Sequence, residues 1–309
     1  MKHTTIAVDL AKSVFEVAVS HQPGKVSERK RLPRSRFLDF FINRPPATVL
    51  IEACGSSHYW GREIQALGHR VLMLPPHRTR RYVVGNKTDS SDAKGLLEAH
   101  RNEQIKPVPI KTVDQQALAA LHRVRSAWSA ARTSRINTVR GLLREFGITI
   151  PVGARQVVPH LRRILADDDC ELLPSALRPV LEETALEITD LERRLRVVED
   201  QLRALAAQMD DVQSLQTIPG IGVITATALV AFVGDVDRFR SARHFASYLG
   251  LTPREHSSGH RRRLGPITKK GDVYLARMND TLRALFELTQ LHKICQIFDD
   301  TDSAVAAFG

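Results

Sequence analysis

The sequence has little cysteine and no long apolar run. Its three cysteines, Cys54, Cys170 and Cys295, are an odd number without CxxC spacing, so neither a disulfide framework nor a zinc site is indicated. No stretch reaches the roughly 18 consecutive apolar residues that a membrane span needs, and only a very short apolar run precedes Asp9. These absences exclude a disulfide-rich secreted domain, and we expect a cytoplasmic protein with no membrane partner.

Acidic residues are outnumbered by basic ones. Lys and Arg total 45 against 34 Asp and Glu, which gives a formal net charge of +11. This excess fits a polyanion better than a small acidic substrate, so the predicted partner is nucleic acid. The 309 residues are 43% hydrophobic, which is enough for two or three domains with their own cores.

The amino-terminal part of the chain alternates strand and helix patterns. It predicts a hairpin, a third and basic strand, a short amphipathic helix ended by Pro45 and Pro46, and then a strand, a helix and a strand. These elements fall at residues 4–8, 14–20, 25–32, 36–43, 48–52, 57–67 and 70–74. The last three imply a parallel strand pair. The element order is that of an RNase H-like α/β sheet.

Four acidic residues stand where a two-metal nuclease places its metal ligands. Asp9 in IAVDLAK and Glu52 in VLIEACGSS interrupt runs typical of buried strands, where an unpaired carboxylate is costly and needs a cation or another partner. Asp89 and Asp92 in NKTDSSDAKG are three residues apart, a spacing that places both on one side of a helix. Each also has a structural alternative, because a strand-end Asp can cap a helix and the pair can simply begin one.

Other polar residues near these motifs carry less information. Glu16 and Asp39 fit no motif and are interpreted as surface charges. His58 lies close to the Glu52 motif and could touch phosphate, although such a residue is more often merely exposed.

Long helical patterns follow from residue 114 onward. The segment 114–146 predicts a basic helix, whose arginines form either a solvated face or a phosphate-contacting surface. They are Arg123, Arg125, Arg132, Arg135, Arg140 and Arg144. After a joint at 150–159, apolar residues recur at alternating spacings of three and four, which is a heptad seam. The seam consists of Ile188, Leu191, Leu195, Val198, Leu202, Leu205 and Met209. Its partner is either the basic helix of the same chain or the same helix of a second subunit, and a dimer is slightly favoured.

The segment Thr217-Ile-Pro-Gly-Ile-Gly-Val223 separates two further helices. Gly220 and Gly222, with one apolar residue between them, suit a helix-hairpin-helix turn that offers backbone N–H groups to a DNA phosphate. The alternative is an ordinary interhelical turn with both glycines at positive φ. The basic composition of the chain favours DNA binding.

A Ser-Gly loop lies near the carboxy-terminal end, with Ser257, Ser258 and Gly259 among many cations. These cations are Arg254, Arg261, Arg262, Arg263, Lys269 and Lys270. Hydroxyls and backbone amides beside cations either bind phosphate passively or allow a serine oxygen to attack phosphorus. The residues alone favour passive binding.

These motifs occur together in the order found in one family. Asp9, Glu52, the NKTDSSDA segment, the TIPGIG turn and the GLTPREHSSG loop make the chain resemble the DEDD transposases of bacterial insertion sequences, of the insertion-sequence 110/1111 type. These are the Piv- and MooV-like recombinases, some of which are guided by a structured bridge RNA. The resemblance covers roughly residues 4 to 275.

The resemblance implies an α/β RNase H-like (RuvC-like) DEDD domain at 1–112, a helical coiled-coil connector at 113–210, and a transposase domain at 211–309. It implies Mg²⁺ held by Asp9, Glu52, Asp89 and Asp92. It selects Ser258, the serine immediately before the glycine, as the nucleophile that forms a phosphoserine link to DNA. The implied partners are donor and target DNA, a structured bridge RNA that supplies sequence choice, and further copies of the chain as a dimer or tetramer. Only 6% of the residues are aromatic, which agrees with recognition of shape and backbone.

The sequence departs from the family pattern after Leu275. There it reads Ala-Arg-Met-Asn-Asp-Thr and ends in an acidic segment with Asp299, Asp300 and Asp302. Either the copy is truncated or frameshifted, or the segment is a variation of this lineage.

Two other functional classes stay open. One is a metal-dependent nuclease or junction resolvase that uses the four acids and water, and the other is a nucleic-acid-binding remnant without chemistry.

Overall fold

The computed structural model describes residues 4–23, 25–83, 89–167, 170, 172–248, 253–255, 258 and 263–267. The chain divides into two compact units, Met1–Val113 and Asp114–Gly309. A further boundary near residue 210 stays a prediction. Within the described residues, no helix is both long and apolar enough to cross a membrane.

The first unit contains a mixed five-stranded sheet. Its strands are β1 (Thr5–Asp9), β2 (Val14–Ser20), β3 (Glu28–Pro33), β4 (Thr48–Glu52) and β5 (Arg70–Leu74), in the spatial order β3-β2-β1-β4-β5. Strands β1, β2 and β3 pair antiparallel, whereas β1 pairs parallel with β4 and β4 parallel with β5. The order is that of an RNase H-like sheet, so the predicted fold class is confirmed.

The described residues of this unit form four α-helices beside the sheet. They are α1 (Asp39–Ile42), α2 (Ser57–Ala66), α3 (Pro76–Thr79) and α4 (Asp89–His100). The helix predicted at 36–43 is shorter than expected, because a 3₁₀ turn over Arg34–Arg36 precedes α1. Much of the aromatic content is concentrated beside α1. There Phe37 packs edge-to-face against Phe15, Phe41 and Trp60, with ring centroids 4.6 to 5.2 Å apart.

The sheet is covered on both faces, and side-chain alternation decides which residues lie on each face. Val8 and Ile51 pack in a cluster with Ile64 of α2. Ala7 and Leu50 instead pack in a second cluster with residues of α4, namely Ala93, Leu96, Leu97 and Ala99. The odd-numbered residues of β1 and the even-numbered residues of β4 therefore face α4.

The second unit is mainly helical. It contains α5 (Val113–Glu145), α6 (Val157–Leu165), α7 (Arg178–Ala206), α8 (Asp210–Gln216), α9 (Val223–Val233) and α10 (Ala242–Tyr248). A two-stranded antiparallel sheet follows, formed by β6 (Pro253–Glu255) and β7 (Leu264–Ile267). The predicted basic helix corresponds to α5 and the predicted heptad helix to α7, but Met209, the last member of the predicted seam, lies beyond α7 as the N-cap of α8.

Helices α5 and α7 pack antiparallel. Arg125 of α5 forms an ion pair with Glu199 at 2.8 Å, and Arg135 pairs with Glu187 at 2.7 Å. The residue number of the partner in α7 falls from 199 to 187 as the residue number in α5 rises from 125 to 135, so the two helices run in opposite directions. Residues of α5 also share both apolar clusters of this unit with residues of α7.

The heptad seam is therefore covered inside the chain. Ile188 belongs to a cluster with α5 and α6, and Leu202 belongs to a cluster with α5 and α9. Within the described residues the seam offers no free apolar stripe to a second subunit. A dimer remains a prediction, but the seam no longer supports it.

Candidate active site and nucleic-acid surfaces

Two of the predicted metal ligands lie side by side at the ends of the central parallel strands. The register of β1 and β4 pairs Val8 with Ile51, so the next residues, Asp9 and Glu52, are neighbours across the two strands. Side chains alternate along each strand, so Asp9 and Glu52 lie on the same face of the sheet as Ala7 and Leu50, the face that α4 covers. Adjacent carboxylates on one face repel each other unless a cation or a hydrogen-bond donor lies between them. Such a pair is compatible with a cation-binding site.

The covering helix carries the other two predicted ligands. Helix α4 begins at Asp89 and packs on β1, β2 and β4, and Asp92 is half-buried in its first turn. The side chain of Asp89 lies outside the described residues. Among the side chains that are described, no group of three His, Cys, Asp or Glu residues forms a metal-binding cluster. The structure thus places two of the predicted ligands side by side on the strands and Asp92 on the helix that covers their face, and the tetrad itself stays a prediction.

The Glu52 carboxylate is held by a buried threonine. Thr79, at the end of α3, donates a hydrogen bond from Oγ1 to Glu52 Oε2 across 3.1 Å and is only 2% exposed. Sequence reasoning missed Thr79, because nothing in its local pattern connects it with a residue on β4.

Glu16 was interpreted from the sequence as a surface charge, and this interpretation is wrong. Its strand partner is Asp9, so it lies on the same face of the sheet, and its side chain is only 13% exposed. Arg31 Nε lies 3.5 Å from its carboxylate. The interpretation failed because the antiparallel register of β1 and β2, which the sequence does not specify, places Glu16 opposite Asp9. Asp39 is exposed beside Arg36, as expected for a surface charge.

His58 has a structural role in the first unit. Its Nδ1 accepts a hydrogen bond from the backbone N–H of Lys111 at 3.2 Å. This contact ties the start of α2 to the end of the unit. The phosphate contact considered for His58 therefore has no support in this structure.

The predicted turn between two helices is present in the second unit. Gly220 has φ +87°, as the alternative of an ordinary interhelical turn predicts. Gly222 is instead the N-cap of α9 with φ −82° and ψ 171°, so the alternative of an ordinary turn with both glycines at positive φ is wrong at Gly222. The first N–H groups of a helix have no acceptor within it, and a Cβ built on Gly222 meets no atom within 4 Å. A phosphate can approach this helix end closely.

The serine loop is the connection between β6 and β7. Ser258 and Arg263 are both exposed in it, and Arg254 lies in β6. The other predicted phosphate-binding residues and Ser257 lie outside the described residues. They are Gly259, Arg261, Arg262, Lys269 and Lys270. The departure from the family pattern after Leu275 lies outside them as well.

Three arginines of the basic helix contact groups of their own chain. Arg125 and Arg135 bind glutamates of α7, and Arg140 donates to the carbonyl oxygens of Pro151 and Gly153 at 2.7 and 2.9 Å. For these three residues the structure favours a role in packing over contact with phosphate.

The fold and the paired carboxylates define an RNase H-like domain with acidic residues at the ends of its two central parallel strands. Two family models match the chain. A transposase model of the DEDD type found in IS110 matches residues 6–148, and the model of the IS116/IS110/IS902 transposase family matches residues 212–279.

Individual proteins agree with these matches. The chain is 41% identical over 275 residues to a probable family 20 transposase of Pseudomonas aeruginosa, covering 89% of this chain and 81% of that protein. It is 35% identical over 270 residues to the transposase for insertion sequence element IS1111A of Coxiella burnetii, covering 87% and 74%. A pilin gene-inverting protein of Moraxella lacunata is 56% identical over 72 residues, 23% of this chain and 21% of that protein.

The chain belongs to the IS110/IS1111 family of DEDD transposases, enzymes that cut and join DNA. A DEDD nuclease domain implies a divalent metal ion.

Proposed function

We propose that the protein is an RNA-guided DNA recombinase of an insertion sequence that uses Mg²⁺, an acidic tetrad and a serine nucleophile. The observation that carries the proposal is the adjacency of Asp9 and Glu52 on the face covered by α4, the helix that begins at Asp89 and carries Asp92. Family membership supports the recombinase chemistry.

The acidic residues fit a hard divalent cation. Carboxylate oxygens are the ligands that Mg²⁺ prefers, and two neighbouring carboxylates with a third on the covering helix are a suitable donor set. Mg²⁺ held by Asp9, Glu52, Asp89 and Asp92 would polarise the scissile phosphate and neutralise charge on its oxygens. Thr79 holds one oxygen of Glu52 in place and leaves the other for binding.

In the proposed reaction Ser258 is the nucleophile. Its oxygen loses the hydroxyl proton and attacks phosphorus, an O–P bond to serine forms, and the bond from phosphorus to the 3′ oxygen breaks. The 3′ oxygen takes up a proton and leaves as a hydroxyl. The phosphodiester energy stays in the phosphoserine link, which a 3′-hydroxyl of another strand can attack. The exposed position of Ser258 between β6 and β7 supports access to a large substrate.

Two nucleic acids are part of the proposal. Backbone N–H groups at Gly222 and the exposed Arg263 would contact phosphates, and these contacts carry no sequence information. A structured bridge RNA would supply the sequence choice through base pairing. Several subunits, as a dimer or tetramer, would act together on donor and target DNA.

A covalent-trapping assay tests this function. The purified protein is incubated with Mg²⁺, RNA transcribed from the flanks of the element, and nicked donor and target DNA, and peptide mass spectrometry locates any serine linked to DNA. We expect an adduct on Ser258 that disappears in Asp9→Ala and in Ser258→Ala. Asp39→Ala, at an exposed acidic residue of the same unit, is the matched control and keeps the adduct.

Three other outcomes contradict the proposal in different ways. Cleavage without an adduct, unchanged in Ser258→Ala, would identify a hydrolytic nuclease. Binding without chemistry would identify a nucleic-acid-binding remnant. Adduct formation at the same rate without RNA would contradict the proposed guidance by RNA.

A further inference from the structure

The edge strand β3 presents different cations on its two faces. Register places Arg31 opposite Glu16 and Arg29 opposite Ala18, so both arginines lie on the face that carries Asp9 and Glu52. Lys30 lies on the other face, where it pairs with Glu28 at 3.1 Å and approaches the Phe40 ring to within 5.7 Å. The contacts agree with the alternation expected of a strand.

One register row links the acidic site to this edge. It runs across four strands through Glu52, Asp9, Glu16 and Arg31. Neighbouring strands are about 4.8 Å apart, so the backbone of Arg31 is roughly 10 Å from that of Asp9. An arginine side chain spans much of that separation. Glu16, between them, holds the Arg31 guanidinium on this face.

The two arginines remain accessible. Arg29 is exposed and the Arg31 side chain is 71% exposed, because α4 covers β1, β2 and β4 and the edge strand extends beyond it. Arg29 has no ion pair with any described residue. Two residues apart on one strand, the two arginines are separated by about 7 Å along the sheet edge.

We propose that Arg29 and Arg31 bind the sugar-phosphate backbone of the DNA strand whose scissile phosphate enters the carboxylate site. We call this pair the β3 track. It rests on the proposed function, because it names the substrate of the same site and how the strand reaches it. Two guanidiniums on the face of the carboxylates bind flanking phosphates and offset the repulsion between the DNA and the acidic residues. A charged edge strand also discourages sheet-to-sheet pairing, but that effect does not depend on the face that a cation occupies.

Salt-dependent DNA binding in EDTA tests the β3 track without any cleavage. A fluorescent duplex carrying the element end is titrated with the full chain at several salt concentrations. A plot of log K against log salt has a negative slope, and each lost phosphate contact makes this slope shallower by about 1. We expect the slope to become shallower by about 1 in Arg31→Gln and by about 2 in the Arg29→Gln/Arg31→Gln variant. Lys30→Gln, on the same strand with the same charge change, leaves the slope at the wild-type value.

The controls separate the possible failures. Thermal unfolding verifies that the variants are folded. Equal slopes for Lys30→Gln and Arg31→Gln would overturn the track, because charge alone would then matter. A loss restricted to binding of the element-flank RNA would also overturn it. If Asp9→Ala abolishes cleavage while the double variant keeps the wild-type slope, the track is wrong and the proposed function stands. If the double variant loses slope while Asp9→Ala still cleaves, the track stands as a DNA surface and the proposed function is wrong.

Discussion

Thr79 Oγ1 donates a hydrogen bond to Glu52 Oε2 across 3.1 Å from a position that is almost fully buried. The same hydroxyl lies 3.1 Å from the carbonyl oxygen of Pro76, so its single proton is shared between two acceptors. Because α3 begins with Pro76 and follows β5 directly, the backbone fixes the hydroxyl beside the end of β4. In the proposed metal site, Thr79 would therefore position the Glu52 carboxylate.

Thr79→Val removes this donor while keeping the side-chain volume. We expect strand cleavage to fall by roughly 10- to 100-fold, as is usual for partners of metal-binding carboxylates, and the Mg²⁺ concentration for half-maximal activity to rise. Thr79→Ser keeps the hydroxyl and restores most of the activity. A purely structural role would lower the stability of Thr79→Val and leave its Mg²⁺ dependence unchanged.

The two glycines of the interhelical turn are expected to respond differently to alanine. Gly220→Ala places a Cβ at φ +87° and lowers the free energy of unfolding by about 1–2 kcal/mol. At Gly222 φ is −82° and the space around a new Cβ is open, so we expect Gly222→Ala to leave the free energy of unfolding unchanged. DNA binding should weaken, because the added Cβ stands where a phosphate would approach the end of α9. Urea unfolding and DNA titration of both variants measure these effects. Equal DNA affinity of Gly222→Ala and wild type would contradict close approach of a phosphate at α9.

His122 makes the stability of the second unit depend on pH. Burial, together with the charge of Arg125, lowers its pKa from 6.5 to about 4. The Thr227 hydroxyl donates to the Val223 carbonyl oxygen at 2.6 Å, so His122 Nε2–H donates to Thr227 Oγ1 at 3.0 Å. The unfolded chain binds the extra proton between these two pKa values, so stability rises with pH in that window.

The stability contribution of neutral His122 is therefore complete above pH 6.5 and is lost as the pH falls towards 4. We expect about 2 kcal/mol of the free energy of unfolding to be lost between pH 7 and pH 5. His122→Gln, which has no such titration, should show a flatter dependence in urea unfolding. An identical slope in the variant would show that other groups cause the pH effect.

The heptad seam is expected to stabilise the chain from within. Leu202 is fully buried, and Leu202→Ala should lower the free energy of unfolding by about 2–5 kcal/mol. Val197→Ala, at a residue of the same helix that is 50% exposed, should have an effect of less than about 0.5 kcal/mol. The loss at Leu202 should be the same at low and high protein concentration. A loss that grows on dilution would place the seam between subunits.

The proposed multisubunit reaction predicts complementation between inactive proteins. Asp9→Ala lacks a tetrad carboxylate and Ser258→Ala lacks the nucleophile, so each alone should form no adduct. If the two groups act on one phosphodiester from different subunits, a mixture of the two variants regains part of the adduct. The DNA-linked peptide then comes only from the Asp9→Ala chain. A mixture as inactive as its components would contradict sharing between subunits.

Much of the first unit was predictable because local patterns and tertiary packing agree there. The strands at Thr48–Glu52 and Arg70–Leu74 coincide with their predicted bounds, and their parallel pairing follows from the helix between them. Asp9 and Glu52 were recognisable as unusual, because a carboxylate at the end of a buried strand needs a partner. The short helix before β4 was less predictable, since the predicted segment 36–43 begins in a 3₁₀ turn over Arg34–Arg36 and is α-helical only over Asp39–Ile42.

Contacts between distant residues could not be predicted in the same way. The sequence shows that Glu16 is acidic, but only antiparallel register places it beside Asp9 and Arg31. Thr79 and Glu52 are 27 residues apart, and no periodicity connects them.

The sequence by itself determined most of the secondary structure of the first unit, the element order typical of an RNase H-like sheet, the basic charge and the family, because these depend on residue type and spacing along the chain. The tertiary structure decided which residues share a face, which helix covers the heptad seam and which hydroxyl holds Glu52. Register and packing join residues that are far apart in sequence, and many sequences with the same local pattern allow different pairings.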